Sequence, residues 1–431
     1  MRKYHITTFG CQMNVSDSER ISAVLEGLNF APAKTEAEAD VLVYNTCSVR
    51  QKSEDRIVGS REKWQSMKKL NPNIVIAITG CMVAHKGYNF RRKFPEVDIT
   101  FEIQELPQLP QKLATVMGVD LKQSEYKDYL NIVPKTKNSF QAYVPIMTGC
   151  NNFCSFCIVP FTRGRERSRP VKDILEEITK FAAQGAKEVT LLGQNVNSFR
   201  GIKAEGKLAT FSYLLYKVAE IPGIERIFYT SPHPKDMKDD VITAHANIPQ
   251  LCPTIHLPVQ SGSTAVLRRM NRFYTKESFL ALVNKFYQSV PGITISTDII
   301  VGFCGETEEE FQDTLDIYCQ AKFDLVYIGM YSPRPHSLAY KMKDDVSLAE
   351  KKRRFEVLHS LQEDIAEEKN KAYLGQIENV LIDKIKNGIA SGKSHHFKYV
   401  EFPVEDSKVG EIVPVRINET LTWVLRGEKV S

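Results

Sequence analysis

The chain has 431 residues, a formal net charge of +5, 42% apolar residues and 25% charged residues. The length predicts two or three domains, and the composition is that of an ordinary soluble globular protein without an apolar run able to span a membrane. Nine cysteines, an odd number in a chain that begins without a signal peptide, argue against a disulfide framework. They favour metal-binding or catalytic thiols in the reducing cytoplasm. The modest positive charge permits a nucleic-acid partner without requiring one.

Residues 1–118 repeat a strand–loop–helix pattern, which predicts a parallel sheet of the open α/β type, Rossmann- or flavodoxin-like. Predicted strands at residues 4–9, 41–44 and 74–79 end shortly before Cys11, Cys47 and Cys81. The segment 16–19 has the pattern of a capping box, so the first helix is expected to begin there.

Cys11, Cys47 and Cys81 each follow the carboxyl end of a predicted strand. Ligands of open parallel sheets bind at that edge, so the fold would gather the three thiols into one site. The alternative for each cysteine alone is burial as a small apolar side chain. Their shared position favours a three-thiolate site.

A polar stretch at residues 118–139 is predicted as a linker, and a second domain of six strand–helix units follows it. Six units predict a partial (βα)6 TIM barrel with its site at the carboxyl ends of the strands. The predicted strands cover residues 142–147, 188–192, 226–230, 254–258, 294–301 and 325–331, and two of the helices cover residues 173–183 and 308–321.

Cys150, Cys154 and Cys157 form a C-x3-C-x2-C motif directly after the first of these strands. Closely spaced thiolates hold iron–sulfur clusters, and three of them on a cube of four irons leave one iron open. An open position distinguishes a catalytic metal site from a closed structural one. A zinc knuckle or buried thiols are the alternatives, but zinc would need a fourth ligand, and the next histidine is distant, at His233.

This motif, with Phe156 before its last cysteine, resembles the signature of radical S-adenosylmethionine enzymes. The resemblance implies that S-adenosylmethionine chelates the open iron and is reductively cleaved to a 5′-deoxyadenosyl radical. It also implies cofactor contacts by the backbone around Phe156 and by residues that follow or form later strands: Gly193, Gln194, Asn195, Ser231, Gln260 and Gly302. The alternative for each of these is a polar group that satisfies nearby backbone. His233 and His256 are candidate general bases or, equally, parts of rigid proline-flanked turns.

Four arginines alternate just beyond the cysteine motif: Arg163, Arg165, Arg167 and Arg169. Arginine suits planar recognition of carboxylate and phosphate. The first three are candidate RNA contacts, and the cofactor carboxylate or acidic side chains of the same domain are the alternative partners.

Residues 347–373 predict a connecting amphipathic helix, and the chain from Gly375 onward has the short strands of a small β-barrel. The strands are expected at residues 377–385, 399–402, 411–417 and 422–425. This region resembles the RNA-binding TRAM domain in the words at residues 392–394 and 423–427. Candidate RNA contacts are Lys393, His395, His396, Lys398 and Arg426. A purely structural barrel is the alternative, because the charge of this region is nearly balanced.

The sequence motifs that contain the first three cysteines closely resemble those of the methylthiotransferase family. They lie at residues 9–14, 45–50 and 79–82. The resemblance covers nearly the whole chain: a cluster domain at 1–118, a radical domain at 136–372 and a TRAM domain at 373–431. It implies that Cys11, Cys47 and Cys81 bind an auxiliary 4Fe-4S cluster that donates sulfur, while Cys150, Cys154 and Cys157 bind the radical 4Fe-4S cluster.

Residues 194–198 favour the branch of the family that methylthiolates C2 of N6-isopentenyladenosine beside the anticodon of tRNA. In that chemistry one S-adenosylmethionine supplies the methyl group and a second supplies the radical. A radical cofactor is needed because no side-chain acid or base can functionalise this carbon. The implied partners are the tRNA anticodon stem-loop, a flavodoxin- or ferredoxin-like electron donor, and a sulfur donor or iron–sulfur carrier, with no membrane.

The sequence departs from the family pattern at Cys304, where proline is usual, and at His336-Ser337, where glycine and threonine are common. Cys252, Cys304 and Cys319 are interpreted as structural residues, although Cys304 could add a thiol near the cofactor. The rival substrates are threonylcarbamoyladenosine of tRNA and an aspartate of a ribosomal protein. A rival from another class is an RNA-binding iron–sulfur electron carrier or sensor, which would have all its irons ligated by protein.

Overall fold

The computed structural model describes residues 1–48, 51–84, 90–136, 139–404 and 406–430. Two parts of the predicted features lie outside the described residues. They are Val49 and Arg50 of the motif at residues 45–50, and residues 137–138 of the predicted linker. The chain forms two compact units. The first comprises Met1–Asn138, Tyr143–Asn152 and Cys157–Glu177, and the second comprises Ser139–Ala142, Phe153–Phe156 and Ile178–Ser431.

The first unit is built on a five-stranded sheet in which every paired neighbour is parallel. Its strands are β1 (Lys3–Thr8), β2 (Ala31–Pro32), β3 (Val41–Thr46), β4 (Val75–Gly80) and β5 (Ile99–Thr100). The order is β2-β1-β3-β4-β5, which is the flavodoxin-like order of doubly wound folds. The predicted open parallel sheet is therefore confirmed.

Helices connect these strands, and a short hairpin follows them. The helices are α1 (Gln12–Gly27), α2 (Gln51–Gly59), α3 (Arg61–Leu70), α4 (Phe90–Lys93), α5 (Leu109–Met117) and α6 (Val159–Thr162). The strand β6 (Gln141–Pro145) and the helix α7 (Val171–Ala183) are shared between the two units, while β7 (Met147–Thr148) pairs with β8 (Arg167–Ser168) inside the first.

Both faces of this sheet are buried, as alternate residues of β3 show. Val41 and Val43 belong to one apolar cluster, whereas Leu42 and Tyr44 belong to a second one around Trp64. Successive side chains of a strand point to opposite faces. A parallel sheet covered on both faces therefore needs a nearly continuous apolar run, as the sequence of this strand has.

The first helix begins earlier than predicted, at Gln12 rather than at the capping-box pattern 16–19. Cys11 is its N-cap residue, with extended backbone. Ser16 lies inside the helix, where its hydroxyl donates to the carbonyl oxygen of Tyr143 at 3.1 Å and accepts from Arg20 at 2.7 Å. The prediction was wrong because tertiary partners, and not the helix end, use these polar side chains.

The predicted linker is partly packed into the first unit. Tyr129 and Leu130, in a short 3-10 helix, and the following Ile132 are buried in the cluster that contains Val41. This portion is thus part of the core, which the surrounding polar residues concealed.

The second unit contains the partial barrel. After β6 its strands are β9 (Glu188–Leu192), β10 (Arg226–Tyr229), β11 (Thr254–His256), β12 (Thr294–Val301) and β13 (Leu325–Met330). They form two sheets, β10-β9-β6 and β11-β12-β13. An isolated parallel bridge between Ile227 and Leu251 links β10 to the segment before β11, so the six strands follow one another in chain order. The predicted (βα)6 arrangement is confirmed.

The helices of this barrel alternate with its strands, and a long helix leads out of it. They are α8 (Phe211–Ala219), α9 (Asp239–Asn247), α10 (Thr264–Arg269), α11 (Lys276–Ser289), α12 (Glu308–Ala321) and the connecting α13 (Leu348–Lys371). Among the helices of the described ranges, none is long and apolar enough to cross a membrane.

The C-terminal region is a closed barrel, as predicted. Its strands are β14 (Ile377–Lys386), β15 (Ile389–Ser394), β16 (Tyr399–Pro403), β17 (Ile412–Thr420) and β18 (Leu425–Lys429), in the order β14-β15-β16-β18-β17. The strand β15 was not predicted, and the last strand lies later than the predicted residues 422–425. The strand β15 is hard to see because it contains small residues. A Cβ on its Gly392 would lie 1.9 Å from the carbonyl oxygen of Leu381.

Candidate cluster and cofactor sites

The first three cysteines follow three neighbouring strands. Cys11, Cys47 and Cys81 come just after β1, β3 and β4, and none of the three forms a disulfide within the described part of the chain. The Cys81 N–H donates to the carbonyl oxygen of Thr46 at 3.0 Å. A Cβ on Gly10 would lie 2.8 Å from the Cβ of Cys47. The backbone segments that carry these thiols are therefore adjacent.

A buried pair of amides lies beneath these thiols. The Cys11 Sγ donates to Asn14 Oδ1 at 3.4 Å, and Asn14 Nδ2 donates to Asn45 Oδ1 and to the Thr46 carbonyl oxygen, both at 3.0 Å. The amide of Asn45 donates back to the carbonyl oxygen of Asn14 at 2.8 Å. The arrangement leaves no room for a side chain at Gly80, whose Cβ would lie 2.2 Å from the Thr46 carbonyl oxygen. Networks of this kind orient the ligands of metal sites.

The arginines of residues 163–169 are largely paired inside the first unit. Arg163 is buried and forms an ion pair with Asp17 at 2.7 Å. Burial opposes its charge, but Asp17 and the nearby Cys81 thiol raise the pKa of Arg163 well above its usual value. Arg169 is buried against Glu177 at 2.7 Å.

These pairs correct the predicted RNA contacts of this segment. Arg163 has a buried carboxylate partner, so it does not present its charge to RNA. Of the alternative partners considered for this arginine, the structure favours an acidic side chain. Arg167 pairs with the carboxylate of Asp128 but is half exposed, and Arg165 is exposed.

The second set of cysteines lies in the loop after β7. A Cβ on Gly149, which has a φ of +80°, would lie 2.1 Å from the carbonyl oxygen of Arg165. The Cys150 N–H donates to the Gly164 carbonyl oxygen at 3.1 Å. Cys150 and Cys154 are buried, and Cys157 is partly exposed.

Polar groups of the second unit surround Cys154. Its Sγ accepts from Arg272 Nη1 at 3.2 Å and lies 4.0 Å from His233 Nε2. The segment that carries Arg272 also holds the cysteine loop by its backbone, since Asn271 Nδ2 donates to the Phe153 carbonyl oxygen at 2.9 Å.

Both sets of candidate ligands consist of cysteine side chains, and iron–sulfur clusters are held by cysteine thiolates. Cys11, Cys47 and Cys81 follow neighbouring strands, and the Cys154 sulfur is in contact with the Arg272 guanidinium. The residues present therefore fit iron–sulfur clusters.

The predicted cofactor residues lie at the carboxyl ends of the barrel strands. Gly193, Gln194 and Asn195 follow β9, and Asn195 Nδ2 donates to Asp236 Oδ2 at 2.8 Å. Ser231 and Gln260, which follow β10 and β11, have left-handed backbone with φ of 59° and 74°. Such strain in non-glycine residues is found preferentially at functional sites.

The turn after β12 is held by the connecting helix. The Gly302 N–H donates to Glu306 Oε2 at 2.5 Å, and Arg354 Nη1 donates to the same oxygen at 2.7 Å. Gly302 has a φ of +68°, and a Cβ there would lie 2.3 Å from Cγ of Lys351. The turn is therefore rigid. Sequence reasoning missed Glu306 and Arg354 because nothing local marks the pair, whose members are 48 residues apart.

Phe156 packs against the apolar cluster that contains Cys304, Phe303 and Tyr331. Burial raises the pKa of the Cys304 thiol. Its structural interpretation agrees with this packing. Cys252 is also buried, whereas Cys319 is exposed on α12.

The two candidate bases have local partners. Burial, with Arg272 and Lys235 nearby, lowers the pKa of His233 to about 2, so its ring is neutral. Its Nδ1 accepts from the Lys235 N–H at 3.2 Å and caps a short 3-10 helix, which favours the turn role. His256 contacts Ser296 Oγ at 3.0 Å and Asp298 Oδ2 at 3.1 Å.

The basic residues of the C-terminal barrel that were predicted to contact RNA differ in how exposed their side chains are. Lys398 Nζ lies 2.8 Å from the buried Asp324, so the predicted RNA contact at Lys398 is replaced by an internal ion pair. Lys393 Nζ lies 3.5 Å from the ring centre of Phe397, and burial lowers its pKa. Arg426 has a side chain that is 51% exposed, beside Glu401 and Glu419.

Three family models match consecutive parts of the chain. The model described as Uncharacterized protein family UPF0004 matches residues 3–102, the Radical SAM superfamily model matches 144–318 and the TRAM domain model matches 371–430. Among solved structures, the radical S-adenosylmethionine methyltransferase TsrM from Kitasatospora setae is similar in fold. Its TM-score is 0.57 at 13% identity, with 91% of this chain and 78% of that chain covered.

Curated relatives align over almost the whole chain. A tRNA-2-methylthio-N(6)-dimethylallyladenosine synthase from Acetivibrio thermocellus is 42% identical, with 99% of this chain and 91% of the relative covered. Proteins of the same name from Clostridium botulinum and Finegoldia magna are also 42% identical, with 97% and 94% of their lengths covered.

The fold and the cysteine loop together define a radical S-adenosylmethionine enzyme with an additional N-terminal UPF0004 domain and a C-terminal TRAM domain. S-adenosylmethionine and 4Fe-4S clusters are the cofactors of this class. Within it, the chain belongs to the family of tRNA-2-methylthio-N(6)-dimethylallyladenosine synthases.

Proposed function

We propose that this enzyme methylthiolates C2 of N6-isopentenyladenosine beside the anticodon of tRNA, in the cytoplasm. The observation that carries the proposal is the placement of two three-cysteine sets just past the carboxyl ends of strands, one set after three neighbouring strands and one in a single loop. Each set supplies three thiolates and leaves an iron of its cluster open for a non-protein ligand. A chain built only to carry electrons would have all its irons ligated by protein.

The proposed ligands are Cys150, Cys154 and Cys157 for the radical cluster and Cys11, Cys47 and Cys81 for the auxiliary one. When bound, the first cluster with S-adenosylmethionine supplies the radical and the second supplies the sulfur. The protein's own task is to hold these groups, as cofactor enzymes do. Asn14 and Asn45 fix the strand ends that carry the auxiliary thiols.

We assign the S-adenosylmethionine contacts to the strand-end residues of the barrel: Phe156, Gly193, Gln194, Asn195, Ser231, Gln260 and Gly302. The left-handed backbone at Ser231 and Gln260 and the rigid turn at Gly302 support this assignment. For tRNA we retain Arg426 and Arg165 as candidate contacts because they are exposed, whereas Arg163 and Lys398 are largely buried against carboxylates. A flavodoxin- or ferredoxin-like protein is the proposed electron donor, and an iron–sulfur carrier or sulfide the sulfur source.

The test is mass spectrometry of nucleosides from isopentenylated tRNA that lacks the methylthio group. The tRNA is incubated anaerobically with reconstituted enzyme, S-adenosylmethionine, dithionite and sulfide. We expect 2-methylthio product from the wild type and none from Cys150→Ala or Cys47→Ala. The exposed Cys319 provides the matched control, and Cys319→Ala should leave product formation unchanged.

Each contrary result identifies the part of the proposal that fails. Product from Cys47→Ala would refute the auxiliary cluster. Cleavage of S-adenosylmethionine without modified nucleoside would move the substrate to threonylcarbamoyladenosine or a ribosomal protein. Clusters without any cleavage of S-adenosylmethionine would favour an electron carrier or sensor.

A further inference from the structure

Arg272 lies between α10 and α11, and its guanidinium is buried, with the residue only 6% exposed. Each of its nitrogens has a partner. Nη1 donates to Cys154 Sγ at 3.2 Å, Nη2 donates to the Pro258 carbonyl oxygen at 2.7 Å, and Nε donates to the Tyr274 hydroxyl at 2.7 Å. The guanidinium is therefore fixed in place by three hydrogen bonds.

The partners of Arg272 include no carboxylate in the part of the chain that the structure describes. Other buried arginines do have one: Arg354 pairs with Glu306 and Arg163 with Asp17, both at 2.7 Å. A buried charge without a compensating charge destabilises the fold. The sulfur that Arg272 contacts is that of Cys154, which as a cluster ligand would be a thiolate.

We propose that Arg272 is a positioning residue for the radical cluster, where its charge holds the Cys154 thiolate and favours reduction of the cluster. This inference rests on the proposed function, which assigns Cys154 as a cluster ligand. Reduction potentials of iron–sulfur clusters depend on net charge and on hydrogen bonds to the sulfurs. An arriving electron adds negative charge, so a fixed cation in contact with a ligating sulfur stabilises the reduced state more than the oxidised one.

The test is a redox titration of the radical cluster with dithionite, followed by electron paramagnetic resonance. It uses the full chain with Cys11, Cys47 and Cys81 replaced by alanine, so that a single cluster is observed. We expect Arg272→Met to lower the one-electron equilibrium constant for reduction about tenfold, which is about 59 mV toward negative potential. Arg272→Lys retains a positive charge, so its midpoint potential should stay close to that of the wild type.

The matched control is Arg269→Met, because Arg269 lies three residues away and pairs with Glu310 at 2.6 Å. This variant removes the same net charge without touching Cys154, and the midpoint potential should stay at the wild-type value. If Arg272→Met does not retain iron, Arg272→Gln carries the test, since glutamine keeps a donor and loses the charge.

The outcomes separate this inference from the function on which it rests. An unchanged potential in a variant that holds its cluster would overturn the role of Arg272 alone. Equal shifts in Arg272→Met and Arg269→Met would also overturn it, because they would report net charge rather than contact. Absence of iron from the parent chain that keeps Cys150, Cys154 and Cys157 would instead refute the assignment of the cluster ligands.

Discussion

Asp324 precedes β13 and connects the partial barrel to two other elements of the second unit. Its carboxylate lies 2.6 Å from Lys369 of α13 and 2.8 Å from Lys398 of the C-terminal barrel, and it accepts from the Ile295 N–H at 2.9 Å. The Asp324 side chain is only 7% exposed, and the two lysines are also largely buried. Replacing it by asparagine keeps the shape and an acceptor for Ile295, but leaves two lysine charges without their partner.

Breaking a buried ion pair by removing one partner typically costs about 3–5 kcal/mol. We therefore expect Asp324→Asn to lower the free energy of unfolding of the second unit by about that amount, measured by urea unfolding followed by circular dichroism. The control is Asp313→Asn: Asp313 pairs with Lys276 at 2.8 Å, but its side chain is 46% exposed. Exposed pairs contribute only about 0–1 kcal/mol, so this variant should unfold almost as the wild type does.

The pH dependence of unfolding gives an independent check that the ionised Asp324 carboxylate stabilises the second unit. Burial opposes the charge of Asp324, but Lys398 and Lys369 hold its pKa below the ordinary value of 3.8. A lowered pKa contributes stability that is full above the unfolded-state value and disappears as the pH falls through the folded-state value. The difference between wild type and Asp324→Asn should thus be constant near neutrality and shrink below about pH 3.8. A difference under about 0.5 kcal/mol at pH 7 would refute the reasoning, since that is the range of ordinary surface substitutions.

Three further predictions test the sites. Asn14→Ala should weaken iron binding by the auxiliary thiols about 10–100-fold, since it removes the amide that orients them. The iron content per chain should fall toward that of one cluster. Retention of both clusters would contradict this role of Asn14. Gly80→Ala should lower the thermal midpoint strongly, because its Cβ would lie 2.2 Å from a carbonyl oxygen, whereas Gly27→Ala, with open space around it, should not. Arg426→Gln should reduce tRNA affinity in filter binding and lower the slope of log affinity against log salt by about one, as loss of one phosphate contact requires; an unchanged slope would exclude that contact.

The parts of the fold that could be predicted from sequence are those with a local signal. The strand at 188–192 and the helix at 308–321 were predicted with the bounds that the structure gives, because an apolar run and a capped amphipathic pattern mark them. The end of each strand also indicated the edge at which the cysteines lie. That edge follows from chain direction in a parallel sheet and needs no knowledge of packing.

The errors concern partners that are distant in sequence. Arg163 was predicted to contact RNA, and its partner Asp17 is 146 residues away. Lys398 was misassigned for the same reason, since Asp324 is 74 residues before it. Arg272, 118 residues from Cys154, was missed altogether. Composition can mark a residue as charged, but only the folded chain decides which countercharge it meets.

The anchoring of the C-terminal barrel limits where RNA can bind on the second unit. Its 393–398 hairpin contacts the amino ends of the barrel strands. Arg226, the first residue of β10, donates to the carbonyl oxygens of Lys393 and Ser394, both at 2.8 Å, and Thr294, the first residue of β12, donates to that of His396 at 2.8 Å.

The proposed cofactor residues lie at the opposite, carboxyl ends of the same strands. The strand β10 (Arg226–Tyr229) is about 10 Å long at roughly 3.3 Å per residue, and Ser231 lies two residues beyond its carboxyl end. A hairpin seated on the amino ends cannot deliver an adenine to the carboxyl ends. We therefore expect tRNA to contact the C-terminal barrel away from this hairpin, for example at the exposed Arg426.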